Sequence, residues 1–221
     1  EGLQHQDGHS PILASTVPSI RTYDPAFAWE LAVLVRYGIQ RMFIEDHDEL
    51  FYLMMYNEAR PMPPRPEHAD IEEGVVRGGY LLEPASGNGQ RVNLLGSGTI
   101  LFEVLEAASR LREEGFSVAV YSITSYVELA RDAERAEQAP GEAERTSAWV
   151  NTLFNEPDVP IVAATDYVRA LPRMISSWLP GRFVALGTDG FGLSERREAL
   201  RAHFKVDSAS IADAARKLTG S

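Results

Sequence analysis

The chain has no cysteine among its 221 residues. That excludes a disulfide framework, a thiolate nucleophile and a zinc-thiolate centre, and it fits a reducing compartment. Long apolar runs are missing as well. Nothing approaches the roughly 18 to 20 residues that span a bilayer, and no signal-peptide pattern opens the chain. It therefore reads as a soluble, unsecreted, cytoplasmic protein with no membrane partner. Positive charge is in short supply, with 21 Lys and Arg against 32 Asp and Glu and a net charge of -11. Nucleic acid is a poor partner for such a chain, because binding to a phosphate backbone draws on clustered Lys and Arg. Histidine is scarce too, five in all, yet two of the five stand within the first ten residues.

What is present is an ordinary globular composition, 44% hydrophobic and 24% charged, with length for one large domain or two small ones. The opening stretch, Glu1-Gly2-Leu3-Gln4-His5-Gln6-Asp7-Gly8-His9-Ser10, shows no apolar periodicity. Its glycines permit tight or left-handed backbone, so that His5, Asp7 and His9 can converge on something small, as functional loops do. Each imidazole can donate, accept or carry charge near neutral pH and would suit a carboxylate or oxyanion. Metal binding is the competing reading. Two histidines four apart on a glycine loop make a weak ligand set, and no metal site is assigned. A chain that begins on Glu1 is expected to be one part of a larger or split enzyme.

The rest alternates helix and strand. Asp24 followed by Pro25 predicts a helix start, with Asp24 as N-cap and Pro25 at the first helical position. The spacing of Phe27, Leu31, Leu34, Val35 and Ile39 carries that helix to about Phe43. The apolar run 50–56 predicts a strand buried on both faces. Pro61, Pro63, Pro64 and Pro66 then crowd six residues and break regular structure. They mark a linker over 61–72, between a unit at 1–60 and another at 73–221. In the second unit, 78–83 and 91–95 flank Gly87-Asn88-Gly89, a hairpin signal. Helices are expected over 100–114, from Ser125 to Arg135, from an Asp166 cap to Leu179, from a Ser194 cap to about Phe204, and after an Asp207 cap. Strands are expected over 117–123, 159–164 and 183–186, and exposed helix ends around a turn over 132–145. The order implies a mostly parallel sheet covered by helices, with the hairpin adding one antiparallel edge strand.

Two glycine-rich strand-to-helix loops could bind an anion at a helix N-terminus. Gly96-Ser97-Gly98-Thr99 is no full dinucleotide fingerprint and reads as a tight turn. The loop 187–194 carries Asp189, which would repel a phosphate, and Phe191, which suits packing or an interface. Arg60 lies just past the carboxyl end of the first strand. Beside a rigid proline it could hold a carboxylate or phosphate, or it is an exposed linker arginine. His47, His68 and His203 are given no role.

Several segments together resemble the C-terminal third of the homodimeric pyruvate dehydrogenase decarboxylating component, a transketolase-like family. Residues 2–10 look like that family's Gly-Leu-Gln-His-Glu-Asp-Gly-His-Ser loop. Thr22 to Ala28, Leu94 to Gly98, Tyr121 to Ser125, Glu128 to Asp132, Leu186 to Ser194, and His203-Phe204 with Val206-Asp207 continue the likeness. The resemblance implies an α/β fold: the end of a thiamine-pyrimidine-binding domain, then a transketolase C-terminal-type domain. It also implies thiamine diphosphate and magnesium, held mainly by regions or chains not present here, because neither the diphosphate motif nor the activating glutamate occurs in the sequence. Expected partners are a chain or N-terminal region carrying the diphosphate-binding domain and a lipoyl-bearing acyltransferase or carrier protein, in a dimeric whole enzyme.

By resemblance His5 is catalytic and orients substrate, with His9 nearby. Two departures matter. Gln6 replaces the family's Glu, and Asn57-Glu58-Ala59-Arg60-Pro61-Met62-Pro63 replaces Asn-Glu-Asn-Tyr-His-Met-Pro. Arg60 thereby comes close to where transketolases carry an arginine for sugar phosphate. The resemblance thus leaves three roles: passing a two-carbon unit from pyruvate to a lipoyl group, passing a glycolyl unit from a ketose phosphate to a lipoyl or carrier thiol, or serving as a noncatalytic assembly domain.

Overall fold

The computed structural model describes residues 6–56, 59–67, 71–141 and 147–220. Its main sheet has the order β3-β5-β4-β6-β7, formed by Tyr80–Glu83 (β3), Arg91–Gly96 (β4), Ser117–Ser122 (β5), Ile161–Ala164 (β6) and Phe183–Leu186 (β7). All neighbours are parallel except β3, which runs antiparallel to β5 at the edge. The fold class read from the sequence is therefore the observed one. The expected hairpin is not: β3 pairs with β5, with Tyr80 opposite Ser122, and β4 lies between β5 and β6. The Asn-Gly turn joins two strands that are not neighbours, because β4 gains more by burying both faces at the sheet centre than by sitting at its edge.

Alternation along β4 explains that burial. Val92 and Leu94 face one side with Val118, Val120, Val162 and Ala164, where Ile100–Glu113 (α4) and Ser208–Thr219 (α9) cover them. Leu95 faces the other side with Ala119, Tyr121, Ile161 and Ala163, under Tyr126–Glu137 (α5) and the short Trp149–Leu153 (α6). Ser125 caps α5 by accepting the Glu128 N–H at 3.0 Å, and Asp207 caps α9, as expected, by accepting that of Ser210 at 3.2 Å. The Asp166 and Ser194 caps do not form. Asp166 Oδ2 accepts instead from Thr99 Oγ1 at 2.8 Å. The helical stretch that follows breaks into Ala170–Arg173 (α7) and a 3-10 turn at Ser176–Trp178, while the next helix starts three residues after Ser194, at Arg197–Phe204 (α8). Part of the expected turn at 132–145, residues 142–145, lies outside the described residues.

The amino-terminal segment is built differently. Ser10–Ser15 (α1) leads to Ile20–Tyr23 (β1), unforeseen in the sequence, which pairs in parallel with Leu50–Leu53 (β2). Between them Ala28–Ile39 (α2) ends in a π-helical turn, Gln40–Ile44, in which Glu45 N–H donates to Gln40 O at 2.9 Å. The β2 run is not buried on both faces, for Leu50 is 61% exposed and Tyr52 37%. Two strands alone cannot sandwich it. Ile71–Arg77 (α3) and Tyr80 receive the inner side of α2 through Val33, Leu34, Val75 and Tyr23.

Neither Asp24 nor Pro25 starts α2. Its N-terminus is closed from within by Glu30, whose carboxylate accepts the Ala26 and Phe27 N–H groups at 2.6 and 2.9 Å. Fully buried, Glu30 also accepts Tyr80 Oη and Ser122 Oγ, each at 2.6 Å. Burial alone would push its carboxyl up; those four donors oppose the rise without cancelling it. One acid thus ties α2 to β3 and β5.

Candidate functional site

The opening loop rests on the carboxyl ends of β6 and β7, where ligands gather in α/β sheets. Gly8 O accepts the Val168 N–H at 3.0 Å. A Cβ at Gly8 would meet the far end of the Gln6 side chain, and one at Gly192 would lie 2.6 Å from Gln6 Cγ, so Gln6 lies close against both glycines. Asp7 Oδ1 accepts from Ser10 N at 3.0 Å and Ser10 Oγ at 2.5 Å. Burial would raise the Asp7 carboxyl, but these bonds and that from the His9 N–H hold it below its usual range. His9 is exposed at the head of α1. His5 lies outside the described residues.

The 187–194 loop is held through Asp189. Asp189 accepts the Arg169 N–H at 2.9 Å and its Nε at 2.6 Å, locking the β6 and β7 loops together, while Phe191 stays 70% exposed. Beside this lock is a cleft of about 280 Å³ lined by Gln6, Asp7, Tyr56, Asp166, Tyr167 and Thr188, with Leu193, Leu200 and Phe204 as its apolar wall. Arg60 lines a separate, more apolar cavity of about 250 Å³, with its guanidinium 4.7 Å from the centre of the Phe102 ring. That stacking orients the cation. Tyr56 borders both cavities. Gln6 and Asp7 thus share a cleft, and Arg60 belongs to the other.

Tyr56 and Asp24 are the residues that sequence reasoning missed. The Tyr56 hydroxyl donates to Asp24 Oδ1, and Asp24, 4% exposed, was expected as a cap. Burial pushes the Asp24 carboxyl up to about 7, with the nearby Asp166 and Glu30 charges adding to the rise and the Tyr56 hydrogen bond opposing it. The available signal was the tyrosine closing the 50–56 run.

The same pair decides what the Gly96–Thr99 turn can hold. A Cβ on Gly98 would strike Tyr56 Oη and lie 2.5 Å from Asp24 Oδ1, and Thr99 Oγ1 is engaged by Asp166. An anion at the α4 N-terminus would meet two acids, so the turn is structural and does not fit a diphosphate. Among the described residues no three His, Asp or Glu side chains gather to hold a metal ion, and no helix is long and apolar enough to cross a membrane.

A three-layer sheet of this order, with an amino-terminal segment docked on its β3 and α5 side, is shared with known proteins. Residues 78–207 match the transketolase-like TK C-terminal domain model, so the chain belongs to that family. Residues 1–63 match the pyruvate dehydrogenase E1 component middle domain. The pyruvate dehydrogenase E1 component of Corynebacterium glutamicum is 44% identical over 218 residues, covering 96% of this chain and 23% of the relative. That of Escherichia coli is 43% identical over 222 residues, covering 97% of this chain and 24% of the relative. The chain therefore spans about a quarter of the length of these relatives. Among solved structures, transketolase from Leishmania mexicana aligns with a TM-score of 0.68 at 18% identity, over 99% of this chain and 28% of that one. A split-gene transketolase described as an inactive beta4 tetramer aligns at 0.67 and 16% identity, over 99% of this chain and 64% of that one. At such identities these two show the shared fold alone.

Proposed function

We propose that the chain serves as the C-terminal part of a thiamine diphosphate-dependent, pyruvate dehydrogenase-like decarboxylating component of the cytoplasm. In this reading residues 1–60 end a pyrimidine-binding domain, 61–72 link, and 73–221 form the C-terminal domain. The observation that carries it is the near-complete alignment at 43–44% identity with pyruvate dehydrogenase E1 components. The cofactor, when bound, supplies an electron sink for cleavage next to a carbonyl. In this reading its diphosphate and magnesium belong to a region or partner chain carrying the diphosphate-binding domain. What this chain contributes is a substrate-facing loop. His5 and His9 orient the donor, Asp7 fixes the Gly8–Ser10 turn, and β6 and β7 hold the loop from below. The two-carbon unit then passes to a lipoyl-bearing partner, with the whole enzyme a dimer.

A second reading rests on Arg60, whose stacked guanidinium at a cavity mouth suits the phosphate of a ketose phosphate donor. Assay of the enzyme assembled with its diphosphate-binding region, using pyruvate and xylulose 5-phosphate, separates the two. Pyruvate turnover that falls about 100-fold or more in His5→Ala and is unchanged in Arg60→Ala is expected. Turnover of the sugar phosphate alone, lost in Arg60→Ala, would replace the first reading by the second.

A further inference from the structure

Along the seam between the amino-terminal segment and the main sheet, three buried side chains each carry a polar atom with no hydrogen-bond partner: Thr22 Oγ1, Asp24 Oδ2 and Tyr126 Oη. Thr22 lies in β1, Asp24 follows that strand, and Tyr126 opens α5. Their exposures are 1%, 4% and 2%, so bulk solvent does not satisfy them. All three residues line one small cavity of about 10 Å³, together with Pro11, Met54 and Leu171. Polar atoms buried this deeply are almost always paired, and three orphans around one space point to a shared partner.

The size of the space names that partner. A single water needs about 10 to 15 Å³ of such volume and two to four polar neighbours, which matches both quantities here. A hard cation asks for more, since calcium takes about six to eight oxygens and magnesium an octahedral set. We propose that this cavity is a site for one structural water, held by Thr22, Asp24 and Tyr126, that bolts β1 to the start of α5. The water donates to Asp24 Oδ2 and Thr22 Oγ1 and accepts from the Tyr126 hydroxyl. Because Tyr56 donates to the other oxygen of Asp24, a hydrogen-bonded chain then runs from the two clefts, through Asp24 and the water, to the α5 helix. The site is independent of which donor the enzyme uses.

Crystals of the unaltered chain grown with rubidium as the only added alkali cation test the site directly. The expected result is one ordered oxygen within hydrogen-bonding reach of Thr22 and Tyr126, with no anomalous signal. An anomalous peak there, or an empty cavity, overturns the proposal. Hydrogen exchange supplies the second readout through Tyr126→Phe and Thr22→Val, which keep ring and branch in place. Each should speed exchange of the 20–24 amides about fivefold, the scale of one buried hydrogen bond lost. The double variant should exchange more slowly than the product of the two single effects, because both lose the same water. Fully multiplicative effects would count against a shared molecule.

Discussion

The main sheet and the amino-terminal segment use the same residue types to opposite ends. In the sheet, Leu94 and Leu95 on adjacent positions of β4 are both fully buried, because helices cover each face. In the segment, Leu50 and Tyr52 of β2 are open, and so are Val35, Ile39, Phe43 and Ile44 on the outer side of α2 and its π-helical turn. Parallel strands are ordinarily covered on both faces. Beside the small apolar cluster on the inner side of α2, the segment is joined to the sheet region by polar ties: Glu30 to Tyr80 and Ser122, Asp24 to the Thr124 carbonyl through its N–H at 2.7 Å, and Arg21 to Glu128. One region is held by a core covered on both faces, the other by a one-sided apolar cluster together with specific buried bonds to its neighbour.

The sharpest way to break this contrast is to make one deletion in both places. Leu94→Ala removes a side chain packed from both α4 and α9, and should cost about 3 to 5 kcal/mol. Leu50→Ala, at an exposed position, should cost about 0.5 kcal/mol or less. Urea unfolding of the two variants measures the difference. A cost at Leu50 close to that at Leu94 would mean that the open face is covered in solution and the contrast is lost.

Acidity tests the polar ties. Asp24 has its carboxyl raised from 3.8 to about 7 by burial. A group raised on folding favours the folded state fully below its unfolded value and loses that contribution as pH climbs through the folded one. Stability should therefore fall between about pH 4 and pH 7 and level off above, by about 4 kcal/mol if Asp24 acted alone. Asp24→Asn, which keeps an acceptor for Tyr56, should flatten that fall. An unchanged pH profile in the variant would assign the fall to other acids, Glu30 first among them.

Much of the fold was legible, and the failures share a cause. Strand and helix order in the main sheet and the Asp207 cap follow from local pattern. The hairpin failed because Asn-Gly reports a turn and not which strand lies next to which. Asp24 failed as a cap because Glu30, the third residue of α2, reaches the same N–H groups and is fixed there by Tyr80 and Ser122, some 50 and 92 positions away. Strand β1 was missed because Ile20-Arg21-Thr22-Tyr23 has no apolar run, its Arg21 being neutralised only by the distant Glu128 and Glu49. The candidate loop at 2–10 was legible through family likeness. The Tyr56–Asp24 pair behind it was not, because it depends on β1 and β2 lying side by side, which brings the residues past their carboxyl ends together.

The smallest effect concerns how the sheet region reaches that loop. Arg131, on α5, donates from Nη1 to the Ile20 carbonyl at 2.7 Å and from Nη2 to those of Ser15 and Val17 at 3.0 and 2.9 Å. Glu128, itself 4% exposed, holds the same guanidinium at 3.1 Å. These carbonyls end α1 and begin β1, so one side chain fixes the segment that follows His9. Arg131→Lys keeps the charge but cannot present a planar fork to three acceptors, and should cost about 1 to 2 kcal/mol. Its signature is local: faster amide exchange over residues 10–20 with β4 and β5 unchanged, and in the assembled enzyme a raised KM with kcat less affected. Equal loosening of β4 would show that the two regions share one core after all, and that their separate modes of support are a matter of appearance.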